Sequence, residues 1–191
     1  MKGNGNGWST LIQKLYFMLI PSSGKRTKYI IKHSYMFKHV GGGIFWQPRT
    51  FPTDPELISI GDNVMIASGV QFINHDIVAH MLSKKYDTHD FQPMEGCISI
   101  GDNVMIGAGT VILPNVRIGS NVVIGAGSIV CKDIPDNVVA AGVPCRVVGD
   151  FDKLVEKYKS VRKLSTEELW KEFYMTCLLY TSPSPRDKRQ S

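Results

Sequence analysis

Ile100-Gly101-Asp102-Asn103-Val104-Met105-Ile106-Gly107-Ala108-Gly109-Thr110-Val111-Ile112-Leu113-Pro114-Asn115-Val116-Arg117-Ile118-Gly119-Ser120-Asn121-Val122-Val123-Ile124-Gly125-Ala126-Gly127-Ser128-Ile129-Val130 repeats itself every six residues. The large aliphatics fall at Ile100, Ile106, Ile112, Ile118, Ile124 and Val130. A smaller residue follows four places after each of the first five: Val104, Thr110, Val116, Val122 and Ser128. A helix repeats near 3.6 residues and a strand near 2, so neither alone has this period. A coil of very short strands joined by corners does have it. The Gly and Asn residues between the aliphatics tolerate the positive φ that such corners need. Three hexads close one triangular coil, and stacked coils bury a column of Ile and Val.

An earlier copy lies upstream. Ile60-Gly61-Asp62-Asn63-Val64-Met65 is identical to residues 100–105, and Ile66 and Phe72 continue its phase. The two copies are 40 residues apart, which is not a multiple of six. The chain is therefore expected to leave the coil as a loop over residues 77–96 and to return.

The remaining segments flank this repeat. Residues 1–7 are rich in Gly and Asn. Residues 8–20 read as a short amphipathic helix that Ser9 or Thr10 could cap, broken by Pro21-Ser22-Ser23-Gly24. Residues 25–39 read as a second helix with Tyr29, Ile30 and Phe37 as apolar contacts. A solenoid needs its open end covered, so residues 1–40 are expected to form a helical cap; a membrane-surface helix is the alternative. Residues 41–148 are expected to form the β-helix domain. Residues 149–176 read as C-terminal helices, the second starting at the capping box Ser165-Thr166-Glu167-Glu168. Residues 177–191 lack periodicity and are expected to be disordered. They resemble translated sequencing-adapter read-through and are read as non-native.

Composition narrows the function. The chain has 191 residues, a formal net charge of +5, and 43% hydrophobic residues, enough for one packed domain with attachments. Residues 186–189 contribute a net +2 of this, so the body is only mildly basic. No aromatic-basic motif points to nucleic acid, whereas a mild excess of cations suits an anionic small molecule. Cys97, Cys131, Cys145 and Cys177 form no CxxC pair, which suggests reduced thiols in the cytoplasm. No apolar run reaches transmembrane length.

Five histidines are present, at positions 33, 39, 75, 80 and 89. Only His75 lies in the hexad phase, three residues after Phe72, at a corner just before the expected loop. Histidine is the natural general base near neutral pH. A corner histidine bonded to a backbone carbonyl has the same sequence pattern. Asp76 is adjacent to His75, but consecutive side chains of an extended segment point apart. The group that orients His75 is expected to be a backbone carbonyl or a residue of a neighbouring coil.

The run of residues 100–147, ending Lys132-Asp133-Ile134-Pro135-Asp136-Asn137-Val138-Val139-Ala140-Ala141-Gly142-Val143-Pro144-Cys145-Arg146-Val147, resembles the hexapeptide-repeat acyltransferases. Within them it is most similar to galactoside, maltose and serine acetyltransferases and to acetyltransferases of surface-polysaccharide synthesis. The likeness covers about residues 41–147. It implies a mainly β fold, a left-handed parallel β-helix, against the usual right-handed crossover. It places the catalytic histidine on His75. It implies acetyl-CoA as donor, with no metal, and carries the family's acetyl-CoA contacts onto Ala108, Ala126, Cys131, Lys132 and Arg146. Threonine is common where Cys131 stands, and a further basic position is replaced by Gly149. For the acceptor it points to Gln47, where the family has asparagine, and to Asp54, which lies near the family's acceptor-binding acid although Pro55 fills the aligned place.

The resemblance also implies a homotrimer with active sites between two subunits. Met65, Met105, Val111, Val123 and Ile129 should face outward and are apolar for surface positions. The expected activity is acetyl transfer to a hydroxyl of a sugar or polysaccharide precursor in the cytoplasm. Transfer to an amino sugar is the nearest alternative. A metal enzyme of the γ-carbonic-anhydrase type, suggested by the spacing of His75 and His80, and a non-catalytic scaffold are the alternatives from other classes.

Overall fold

A computed structural model describes residues 7–161 and 163–181. The chain divides into two compact units, residues 1–154 and residues 155–191.

The first unit contains a three-faced prism. Face one stacks His39–Val40, Ile58–Ile60, Ile98–Ile100 and Val116–Ile118 in parallel. Face two stacks Phe45–Trp46, Val64–Ile66, Val104–Ile106, Val122–Ile124 and Val138–Ala141, also in parallel. Face three stacks Gln71–Phe72, Val111–Ile112 and Ile129–Val130. Side chains alternate across each short strand, so every hexad turns one large aliphatic inward, with a smaller residue such as Val104, Thr110, Val116, Val122 or Ser128 buried beside it. Ile58, Ile60, Ile106, Ile112, Ile118 and Ile124 are fully buried. Each such side chain stabilises the fold by about 1.5–3 kcal/mol through the hydrophobic effect.

The corners explain the Gly-Asp-Asn spacing. Asn63, Asn103, Asn121 and Asn137 have φ between 55° and 61°. This left-handed region is one that Asn visits more readily than most residues. Their side chains form a ladder between coils, Asn63 Nδ2 donating to Asn103 Oδ1 at 2.9 Å and Asn103 Nδ2 to Asn121 Oδ1 at 3.0 Å. Just before them the coils approach closely. A Cβ on Gly101 would lie 2.8 Å from the Gly119 carbonyl carbon, so only glycine fits.

The coil register is offset by 40 residues between Val64 and Val104 and by 18 between Val104 and Val122. The excess is the expected excursion, and it is closed at its base. Gly96 N donates to Asn74 O at 2.7 Å, and Asn74 Nδ2 donates to Gly96 O at 3.0 Å. The excursion is not a plain loop, because residues Val78–Tyr86 form a helix. Asp76 Oδ1 accepts from Val78 N at 3.0 Å and so starts it.

Upstream, α1 (Gly7–Leu19) and α2 (Ser23–Lys32) precede the prism. Helix α1 begins before Ser9 and Thr10, so neither is its cap. Helix α2 ends earlier than expected, and His39–Val40 already pairs with Ser59–Ile60. The prism therefore starts before Gly41. Phe17, Ile20, Ile30 and Phe37 share one buried cluster with Trp46 and Ile58. The helix of the excursion is α3. At the other end the coil stops in a hairpin, with Arg146–Asp150 antiparallel to Val138–Ala141. Helix α4 (Phe151–Ser160) follows, its first turn held by Asp150 Oδ1, which accepts from Asp152 N at 2.9 Å.

In the second unit α5 (Thr166–Thr181) starts at the expected capping box. Ser165 N donates to Glu168 Oε2 at 2.7 Å, and Glu168 N to Ser165 Oγ at 3.2 Å. Residues 177–181, expected to be disordered, continue this helix. The rest of that tail lies outside the described residues. The described residues hold five α-helices as well as the short strands, so they are mixed α and β. No helix of the described residues is long and apolar enough to cross a membrane.

Candidate active site

His75 stands at the corner between faces three and one, where the chain leaves the coil. Ile73 N donates to Ile112 O at 2.9 Å, which holds this corner on the coil beneath. The next residue pair of the excursion closes over it, with an isolated antiparallel bridge between His75 and Glu95. Asp54 comes from the preceding coil, just before the short helical turn Pro55–Leu57. His75 Nδ1 and Asp54 Oδ2 are 2.6 Å apart. A carboxylate only accepts, so Nδ1 carries the proton and donates it to Asp54. That leaves the Nε2 lone pair for another partner. The His75 side chain is 42% exposed, so it is within reach of a ligand. A residue of a neighbouring coil thus orients His75, and Asp76 is engaged elsewhere, at the start of α3.

The other candidates fall on the two edges of face three. On the His75 edge, Leu113 N donates to Val130 O at 2.9 Å, which stacks Cys131 and Lys132 beneath Leu113 and Pro114. Both are exposed. On the far edge, Ala108 and Ala126 occupy successive levels of one corner, with Gly127 N donating to Ala108 O at 2.8 Å. Both are exposed, and their own N–H groups have no partner among the described residues. Gly109 and Gly127 beside them have φ of 69° and 68° and open space where a Cβ would stand. This edge therefore offers bare backbone donors with no side chain in front of them. Arg146 is exposed and pairs with Ala141 on the same edge.

Gln47 also lies on the far edge, where its Oε1 accepts from Ser68 N at 3.2 Å. Ser68 O accepts from Gly109 N at 2.9 Å, so Gln47, Ser68, Ala108 and Ala126 descend one corner. The structure thus joins Asp54 to His75 but leaves Gln47 across face three from both.

Cys97 and Cys131 are exposed free thiols, while Cys145 is buried and its thiol pKa is raised by that burial. His80 lies on α3. Among the described residues no three His, Cys, Asp or Glu side chains are grouped to hold a metal ion.

Outward positions differ between faces. Face one shows Ser59, Ser99 and Arg117. Face two shows Met65, Met105, Val123 and Val139 in register. Face three shows Gln71, Val111 and Ile129. Met65 and Met105 are exposed, whereas Val111, Val123 and Ile129 are half-buried.

Known proteins share this architecture. Residues 97–132 match the family described as bacterial transferase hexapeptide (six repeats). The chain is 42% identical over 130 residues to Protein CapG of Staphylococcus aureus, covering 66% of this chain and 73% of that protein. It is 45% identical over 121 residues to the galactoside O-acetyltransferase of Escherichia coli (strain K12), covering 63% of this chain and 57% of that one. A solved galactoside acetyltransferase in complex with coenzyme A is 30% identical, with a TM-score of 0.58, covering 86% of this chain and 93% of that one. The repeat, the parallel prism and these relatives agree: the chain belongs to the hexapeptide-repeat acetyltransferase family and is an acyltransferase enzyme.

Proposed function

We propose that the protein is an acetyl-CoA-dependent O-acetyltransferase that acetylates a hydroxyl of a sugar or polysaccharide precursor. The observation that carries this reading is the His75–Asp54 pair, 2.6 Å apart on the exposed edge of face three. Acetyl-CoA supplies an activated thioester carbonyl, as the coenzyme A complex of a related acetyltransferase suggests. His75 Nε2 removes the acceptor's hydroxyl proton as the oxygen attacks that carbonyl. The C–S bond breaks, and His75 returns the proton to the departing sulfur. Asp54 holds the ring in the tautomer that leaves Nε2 basic and steadies the imidazolium. The free N–H groups of Ala108 and Ala126 suit the amide carbonyls of a pantetheine arm, with Cys131 alongside. Lys132 and Arg146 suit its phosphates.

The two edges of face three support a homotrimer. His75 and Asp54 occupy one edge, and Gln47, Ala108 and Ala126 the other, so one chain alone does not bring them together. Parallel left-handed prisms arranged about a threefold axis set one chain's His75 edge against its neighbour's far edge. Gln47 would then meet the acceptor across the interface. The apolar outward column of face two, with Val111 and Ile129 of face three, supplies surface for such contacts. In this assembly α1 and α2 cap the prism and the enzyme works in the cytoplasm.

Thiol release from acetyl-CoA, measured with a panel of sugars with and without a chelator, tests the reading. Chelator-insensitive turnover giving a hydroxylamine-labile ester supports it. A hydroxylamine-stable product would point to an amino-sugar acceptor, and release that requires a metal would overturn it.

A further inference from the structure

A cavity lies away from His75, where the N-terminus of α2 meets the far corner of the prism. It is lined by Ser22, Ser23, Arg26, Gln47, Arg49 and Ser68, among others. None of its described lining residues is acidic.

Arg26 is 6% exposed. Its Nη1 donates to Ile20 O at 2.7 Å, which closes the end of α1. Its Nε is buried with no partner, and no carboxylate pairs with it among the described residues. A buried guanidinium without a counterion is costly, and here a second one stands near it. Burial first, and then the like charge of Arg49, lower the pKa of Arg26. Arg49 is exposed at the cavity and makes no ion pair among the described residues.

The backbone adds donors of the same sign. Ser22 caps α2, its Oγ accepting from Lys25 N at 3.3 Å, and Arg26 N donates to Ser22 O at 3.0 Å. The N–H groups of Ser23 and Gly24 have no partner among the described residues, and a Cβ on Gly24 would meet nothing. A helix start carries partial positive charge and unpaired donors, which together favour an oxyanion. Two guanidiniums, a helix N-terminus and the Ser23 hydroxyl make a site built of donors with no fixed negative charge.

We propose that this cavity binds a phosphate-class dianion, held by Arg26, Arg49 and the first turn of α2. A tetrahedral dianion satisfies several donors at once and neutralises both arginines, which a monoanionic carboxylate does not. Its source is either free inorganic phosphate or a phosphoryl group on the acceptor. The second source rests on the transfer reading, because Gln47, the candidate acceptor contact, lines the same cavity.

Calorimetric titration with inorganic phosphate, in the presence of saturating acetyl-CoA, tests the site apart from turnover. Binding should persist under acetyl-CoA, weaken at least tenfold in Arg49→Gln, and be unchanged in Lys132→Ala. Arg49 is exposed, so its replacement leaves the fold intact, and a melting curve checks this; Arg26→Lys then serves as a second variant. Absence of phosphate binding by the folded wild type, or loss caused by Lys132→Ala rather than Arg49→Gln, would overturn the proposal while leaving acetyl transfer untouched. A second arm compares a sugar phosphate with its neutral sugar as acceptor. A KM advantage for the phosphate that Arg49→Gln abolishes assigns the site to the acceptor. Equal KM values with retained phosphate binding assign it to free phosphate.

Discussion

Replacing Asp54 by Asn separates orientation from packing. The His75–Asp54 contact is 2.6 Å long, with side chains 42% and 28% exposed. An ion pair so open to water contributes at most about 1 kcal/mol to stability. For a chain of this size that corresponds to a melting shift of no more than about 4 °C. The catalytic effect is much larger. An Asn side chain can turn its NH2 toward Nδ1, which places the ring proton on Nε2 and removes the base. A positioned general base contributes about 10²–10⁴-fold. At 1.36 kcal/mol per factor of ten, this is about 2.7–5.4 kcal/mol of transition-state stabilisation. Asp54→Asn should therefore lower kcat by about 10²–10⁴-fold while thermal unfolding and acetyl-CoA binding stay near wild type. Thiol release and a melting curve on the same preparation make the comparison. A kcat within threefold of wild type would refute the orienting role. A melting point lowered by well over 4 °C would show that the pair is structural.

Other changes probe the rest of the site. Lys132→Ala or Arg146→Ala should raise KM for acetyl-CoA more than KM for the acceptor, since lost phosphate contacts act on binding; steady-state kinetics with each substrate varied would show it. Replacing residues 77–94, including α3, by a short turn that keeps the Asn74–Gly96 closure should leave cooperative unfolding by circular dichroism and change acceptor choice. Mixing His75→Ala with Ala126→Trp should restore activity after subunit exchange, because the two changes lie on opposite edges of face three; light scattering should give the mass of three chains.

The repeat was legible because its causes are local. Each inward Ile or Val and each corner Gly or Asn follows from one hexad, so the corner asparagines with positive φ stand where the spacing put them. The excursion was legible from the register mismatch, but its helix was not. Residues 78–86 are few, and their Lys and His residues resemble loop composition. The two-residue strand His39–Val40 carries no period of its own. The return strand Arg146–Asp150 is exposed throughout, so no inward aliphatic column marks it. His75 could be singled out because it keeps the hexad phase. Its link to Asp54 joins residues 21 apart through the stacking of coils, a distance set by an irregular proline-rich turn that no repeat describes.

His75 is proposed to drive acetyl transfer from acetyl-CoA to a sugar hydroxyl. Mass spectrometry of the acceptor after incubation with acetyl-CoA, run in parallel on wild type and His75→Ala, puts this to the test. The wild type should yield one acetyl ester per CoA thiol released. His75→Ala, folded and still binding CoA, should form it about 10²–10⁴-fold more slowly. Equal ester formation by the two proteins would contradict the account.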